Sequence, residues 1–392
     1  MSISHNILSV PDTAVLEKHI DALKPRWLLG KDNLAYIAGI ALKHPSTSVI
    51  HRDWQQYQGD DDLPRRITPA AWLSTQRALG FLNVWRYCCN ESGFNDDVLA
   101  WINEVIEINA KHPQPLKLVI GNWSAGTPNK EDWKRPQAVK LLQYLNRYRD
   151  WMVLGLHDYF AAVPTSGFYG GYPSNANIAS SPSDAPGSKG LNLIPMDKWP
   201  KDTRAITLFH CGRWRFMLQV CDELSIPYPR IVITEHGTDD LGDIKAWLET
   251  LQKTAPYTSI RGWRSLQQQW GNWFGGNAEL TYYNMLTYLD AAVYAGSPVE
   301  AQLIFCWGDS GGWEQFRVDN APELLRRLEM YAGTTTPPPI PTPPDEPPQP
   351  GSVLDKAALL AMVEDVDNDV TAAIGYLENA HVTLAHLKDA LK

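Results

Sequence analysis

Residues 81–91 read FLNVWRYCCNE. A short apolar run closes on a polar pair, Asn90-Glu91, and SGFNDD follows as a loop. Apolar runs of this length suit strands buried on both faces, as in a parallel sheet. RIVITEHG at 230–237 repeats the design, with β-branched residues leading to Glu235. Six more segments follow it: HNILSV (5–10), RWLLG (26–30), TSVIHRDW (47–54), LKLVIGNW (116–123), WMVLGLHDYF (151–160) and AQLIFCWGD (301–309). Helical patterns lie between them, among them TAVLEKHIDAL, PAAWLSTQRAL, NDDVLAWINEVIEINA, PQAVKLLQYLNRYRDW, RWRFMLQVCDELS, DIKAWLETLQ and ELTYYNMLTYLDAAVYAG. Eight strands, most followed by a helix, predict an α/β chain of the (β/α)8 TIM barrel type over residues 1–332. A doubly wound open sheet is the alternative, but no G-x-G-x-x-G or G-x-x-x-x-G-K-[ST] follows any strand.

The 392-residue chain is 44% hydrophobic, enough for one large core and an appendage. Its net charge is −9 and no long Lys/Arg run occurs, so nucleic acid and anionic membrane are not expected partners. Sixteen Trp and sixteen Tyr are many for this length, and their flat apolar faces with a polar edge suit sugar rings as well as a core. The five cysteines (Cys88, Cys89, Cys211, Cys221 and Cys306) form no C-x-x-C. Neither a disulfide framework nor a zinc site is expected, and reduced thiols fit a cytosolic setting. MSISHNILSVPDT has no basic start followed by a long apolar run, so no secretory signal is expected, and no apolar run approaches a membrane span. Cytoplasmic synthesis is the expectation.

GTTTPPPIPTPPDEPPQPG marks a Pro-rich linker over 333–352, an extended semi-stiff spacer. In the tail, 353–392, Val363, Val370, Leu377, Leu384 and Leu391 recur every seventh residue, and Leu359, Val366, Ala373, Ala380 and Leu387 form a second such row. The two rows make one apolar stripe on a C-terminal α-helix. A coiled coil that makes the chain a homo-oligomer is expected, and a helix folded back on its own barrel is the other reading. The long segment at 161–202 is rich in Gly, Ser, Pro and Asn. It leaves a strand end, where barrel enzymes build their sites, and Phe168, Tyr169 and Tyr172 are candidates to line a groove.

The C-terminal ends of the strands carry HRDW, CCNES, GNWSAG, LHDYF, TEHGTDD and CWGDSGGW. In a parallel barrel these ends converge on one mouth. Glu91 ends the fourth strand and Glu235 stands in the seventh, on opposite sides of that mouth. Glycoside cleavage needs two such carboxyl groups, one to protonate the leaving oxygen and one to attack the anomeric carbon or activate water. Burial among Trp85, Tyr87 and Trp123, or the charge of Glu235, would help Glu91 keep a proton. His157, Tyr159 and Arg52 are the expected donors to Glu235. Trp123, Trp313, Arg52 and Asp53 are candidate groove residues. Asp158, Asp239, Asp240, Asp309 and Glu314 also lie near strand ends, whereas Asn103-Glu104 repeats the dipeptide inside a helical pattern. No histidines show metal-ligand spacing, so no metal or cofactor is expected.

The layout resembles the clan A glycoside hydrolases, a (β/α)8 superfamily of retaining enzymes with an Asn-Glu pair at the end of strand four and a Glu at the end of strand seven. The matches are Asn90-Glu91 and Glu235. The resemblance implies a hydrolase with Glu91 as general acid/base and Glu235 as nucleophile, Asn90 bonding the sugar 2-hydroxyl, His157 and Tyr159 beside the nucleophile, and Trp307 as the floor of the first sugar subsite. Two features depart from the pattern. Ser92 stands where a Pro commonly follows Asn-Glu, and the strand-two Arg is absent, with Arg52 on strand three as a substitute. The expected activity is polysaccharide degradation at β-glycosidic bonds, endo-acting given the long loop and aromatic mouth. A phage particle or lysis system would bring such a protein to its polysaccharide without secretion. A non-catalytic carbohydrate- or receptor-binding barrel is the second reading. An aldolase-like barrel would need a strand-end Lys, and none of the eight segments above ends in one.

Overall fold

The computed structural model describes residues 3–31, 33–53, 63–124, 127–162, 206–207, 212, 214–238, 240–243, 259–265, 278–290, 294, 296–308 and 312–332. The linker, the C-terminal heptad segment, nearly all of the 161–202 loop and the helical pattern at 244–252 lie outside the described residues, as do Asp239 and Asp309.

Eight strands pair in parallel in chain order: β1 (Ile3–Ile7), β2 (Trp27–Lys31), β3 (Ser48–Arg52), β4 (Trp85–Cys88), β5 (Leu118–Trp123), β6 (Met152–Ala162), β7 (Ile231–Thr238) and β8 (Val299–Trp307). The eighth pairs back onto the first, Ile3 opposite Gln302, so the sheet closes into a barrel. Among the described residues the long helices are α1 (Thr13–Leu23), α2 (Leu34–Lys43), α3 (Pro69–Ala78), α4 (Asp96–Ala110), α5 (Pro136–Arg147), α6 (Trp214–Leu224), α7 (Ala278–Leu289) and α8 (Pro322–Ala332), one after each strand, with a single-turn helix, Leu63–Arg66, ahead of α3. This is the TIM-barrel arrangement. Among the described residues no helix is long and apolar enough to cross a membrane.

Local chemistry sets the boundaries. Asp12 Oδ1 accepts from the Ala14 and Val15 amides at the start of α1, Asn33 and Asn95 cap α2 and α4, and Thr68 caps α3 with Pro69 in its first turn. Asn95, and not Glu91, therefore serves the α4 N-terminus. Strand four is shorter than 81–91. Phe81 has a left-handed backbone and, like Leu82, is exposed below the strand, while Cys89 and Glu91 turn left-handed above it. Glu91 thus stands beyond the strand end rather than on it. Strand two is shifted one residue from 26–30 and ends in Lys31, so one strand end does carry a lysine.

The barrel interior is filled by Trp27, Leu29, Ile50, Trp85, Tyr87, Val119, Val153, Val232, Ala301 and Leu303. These are alternate residues along each strand, the inward half of a two-residue period. The outward half packs on the helices, with α4 alone burying Val98, Leu99, Trp101, Ile102, Val105 and Ile106. At the N-terminal end Trp27 and Trp85 lie 4.9 Å apart and Arg230 sits over both rings. Glu300 accepts from Arg230 Nε at 2.6 Å and from Trp27 Nε1 at 3.0 Å, closing that end. Trp85 therefore belongs to the barrel floor and does not bury Glu91.

Candidate active site

The mouth is built by interruptions of the strand period. Along β7, alternation from the inward Val232 would point Glu235 out toward the helices. One extra residue corrects this. Leu156 and His157 of β6 face Ile233 and Glu235, and Gln302 and Ile304 of β8 face Ile233 and His236. Such a bulge re-aims the side chains that follow it, and here it turns Glu235 into the mouth. Strand five carries a similar insertion, because Gly121 and Trp123 face Gly155 and Leu156.

Around Glu235 the contacts are close. Arg52 Nη1 donates to Oε1 at 2.6 Å and the Tyr159 hydroxyl to Oε2 at 2.8 Å. His157 Nδ1 lies 3.5 Å from Glu235 Oε2 and 3.3 Å from Glu91 Oε1. The approaching atoms of Glu91, His157 and Glu235 all fall within 4.8 Å of one another. The Glu91 and Glu235 side chains are 17% and 9% exposed, so each can meet a ligand from the mouth, while His157 is enclosed. Burial works against the charge of Arg52. The fields of Tyr87, Glu235 and Glu91 and the hydrogen bond to Glu235 outweigh it and hold the guanidinium above its usual value. Burial pushes the Tyr87 phenol well above the usual range, so it stays neutral.

Proton positions follow from counting donors. The Tyr87 hydroxyl donates to Asn90 Oδ1 at 3.0 Å and lies 2.9 Å from His157 Nε2. With its one proton given to Asn90, Tyr87 accepts from His157 Nε2–H. His157 Nδ1 then faces both carboxyl groups and offers a bridge along which a proton can pass to or from Glu91. The same three groups could also share a cation, though Arg52 already supplies positive charge at Glu235.

Several expected residues stand elsewhere. Trp307 is fully buried, with ring centroids 5.4 Å from both His5 and His19. The register with β1 slips between Phe305 and Trp307, so the inward series Ala301, Leu303, Phe305 does not continue to it. Phe305 is the β8 aromatic on the mouth side, 6.3 Å from Tyr159 and 5.2 Å from Trp313. Trp313 thus joins the mouth through Phe305. Trp123 is displaced outward by the β5 insertion and packs on Phe94 and Trp133. It neither lines a groove nor buries Glu91. Asn90 is fully buried beneath the mouth, held by Tyr87. Asp53 follows Arg52, partly buried. Asp158 turns away, accepting from the Gly212 amide and the Tyr294 hydroxyl. Glu314 pairs with Arg317 at the surface, and Glu104 is exposed on α4. Sequence reading missed Asn122 and Thr234, because a polar residue before a strand's last turn looks like an interruption until the inward positions are counted.

No protein-family model matches the chain and no curated protein matches it. The functional reading rests on this geometry and on the resemblance above.

Proposed function

We propose that the protein is a retaining glycoside hydrolase acting on a β-linked polysaccharide. The observation that carries this reading is the approach of Glu91 and Glu235 to within 4.8 Å, with Arg52 and Tyr159 both donating to Glu235. Retaining enzymes hold their carboxyl groups about 5–5.5 Å apart, and inverting enzymes leave a wider gap for water. Two donors fix the Glu235 carboxylate and leave it aimed into the mouth as the nucleophile. Glu91, beside His157, protonates the leaving oxygen and, left as a carboxylate, then deprotonates the water that releases the glycosyl group, which restores its proton for the next turnover. His157 positions both carboxyl groups. Trp313, partly buried against Phe305, offers an apolar face for a sugar ring.

The test is release of new reducing ends from a panel of β-glucans, mannans, xylans, galactans and peptidoglycan by the wild type and Glu235→Gln. The reading requires hydrolysis that the substitution abolishes. Hydrolysis that survives removes Glu235 from the mechanism, and binding without hydrolysis by the wild type assigns a non-catalytic barrel.

A further inference from the structure

Beneath the two carboxylates lies a polar pair that touches neither of them. Asn122 and Thr234 are the inserted residues of the β5 and β7 irregularities, and both are fully buried. The Thr234 hydroxyl donates to Asn122 Oδ1 at 3.0 Å. Asn122 Nδ2 faces the Cys88 and Cys89 carbonyls at 3.2 and 3.1 Å, with the Val119 carbonyl at 3.4 Å. Three acceptors around that atom require nitrogen there, so the carboxamide orientation is fixed. The Glu91 amide in turn donates to the Asn122 carbonyl at 2.9 Å. One residue therefore holds the last carbonyls before Asn90-Glu91, the Glu91 backbone itself and the residue preceding Glu235. Asn6 Nδ2 secures the other side by donating to the Thr234 carbonyl at 3.1 Å.

The surroundings accommodate this pair. Asn122 has a left-handed backbone, φ 50°, which Asn tolerates better than most residues. Gly155 leaves the space its carboxamide fills, since a Cβ there would collide with Asn122 Oδ1. Gly155 falls between Val153 and His157 on the inward side of β6, so the carboxamide lies one layer below His157. An apolar layer would fill the barrel equally well, yet would not tie strand four to strand seven.

We infer that the Asn122–Thr234 hydrogen bond is a positioning device that sets the Glu91–Glu235 separation. The inference rests on the proposed hydrolase reading for its catalytic consequence, but its geometric content stands apart from it. Thr234→Val keeps the shape and removes the donor. Asn122→Asp keeps the shape and turns the three carbonyl contacts repulsive. Misplacing a catalytic group by about 1 Å can cost about 100-fold in rate. Thr234→Val is expected to lower kcat about tenfold and Asn122→Asp about 100-fold, each with KM within about twofold, and Thr234→Ser to restore kcat. Thr234→Val with unchanged kcat, or Thr234→Ser no better than Thr234→Val, overturns the inference.

Crystal structures of wild type and Thr234→Val decide it without reference to activity. The expected result is a Glu91–Glu235 separation wider by at least about 0.5 Å in the variant, the tolerance for a productive site. An unchanged separation sinks the positioning role even if the protein is an active glycosidase. A widened separation in a protein that hydrolyses no glycan upholds it and rejects the hydrolase reading instead. Should Thr234→Val fail to fold, Thr234→Ser and Asn122→Ser carry the same comparison, with melting curves run alongside.

Discussion

The barrel contains an Arg–Glu pair at each end, and the two differ in what surrounds them. At the N-terminal end Arg230 grips Glu300 with both Nε and Nη2, and Trp27 takes the remaining valence. Burial raises the Glu300 carboxyl, but Arg230 and Trp27 outweigh it and hold it below the usual range. At the C-terminal end Arg52 reaches Glu235 through one nitrogen, and the other oxygen meets Tyr159 and His157 beside a second carboxyl group. The first pair closes on itself. The second faces Glu91 across His157. An Arg–Glu pair in a barrel is thus not by itself evidence of chemistry, and a second carboxylate within 4.8 Å is what separates the two ends.

Removing that second carboxylate should break the contrast most strongly. Glu91→Ala is expected to lower kcat on unactivated glycans about 10³-fold, within the range for a general acid. Added azide should restore turnover of an aryl glycoside, whose leaving group needs no proton. Glu300→Gln should do the reverse. Loss of the closed pair is expected to cost about 2 kcal/mol of stability, below the fully buried range because both groups keep some water contact. Its kcat should stay within about twofold, read by denaturant titration and an initial-rate assay on one preparation. Tyr159→Phe sharpens the picture at the open end. It deletes one of two donors to Glu235 and is expected to reduce kcat about tenfold, the effect of one charge-assisted hydrogen bond, without moving the melting temperature.

Much of this was legible in the sequence, for reasons that individual residues illustrate. Glu91 and Glu235 were recognisable because apolar runs on both sides of the barrel lead to them, and Arg52 because it closes such a run. The fold followed from the same runs. Trp307 was expected at the mouth from the resemblance and Trp123 from its place at a strand end, and neither reading counts inward positions through the strand ends, where β8 and β5 slip register. A one-residue slip reverses the face of every later side chain, and no local sequence signal marks it. Glu235 would have failed the same count, and the β7 insertion is what brings it inward. Lys31 was overlooked for a simpler reason, since its strand runs one residue beyond the apolar segment.

Two smaller effects bound the comparison. The fold must be intact where activity is measured, and buried histidines limit that range. Burial lowers His5, His19 and His236, the last to about 4. Unfolded histidine titrates near about 6.5, so the unfolded chain binds more protons between these values. Stability is full above about pH 6.5 and falls as pH drops toward 4, on the order of 1 kcal/mol per pH unit for His236, with His5 and His19 acting in the same direction. Melting temperatures from pH 7.5 to 4.5 should decline on the acid side, and a flat profile would contradict the buried neutral assignment. Lys31→Ala should have the smallest effect, less than about threefold on kcat, because a glycosidase needs no amine nucleophile. A large loss, with borohydride trapping a carbonyl substrate on Lys31, would make the barrel a Schiff-base enzyme.

The central claim is that Glu235 attacks the anomeric carbon while Glu91 manages the proton. Mass spectrometry after incubation with activated 2-deoxy-2-fluoro β-glycosides of glucose, mannose, xylose and galactose tests it most directly, since such sugars trap a covalent glycosyl-enzyme. The account predicts one added sugar, on the peptide containing Glu235, in the wild type and none in Glu235→Gln. Turnover of a β-glycan whose first product carries the inverted anomer, or a label on any other residue, would contradict it.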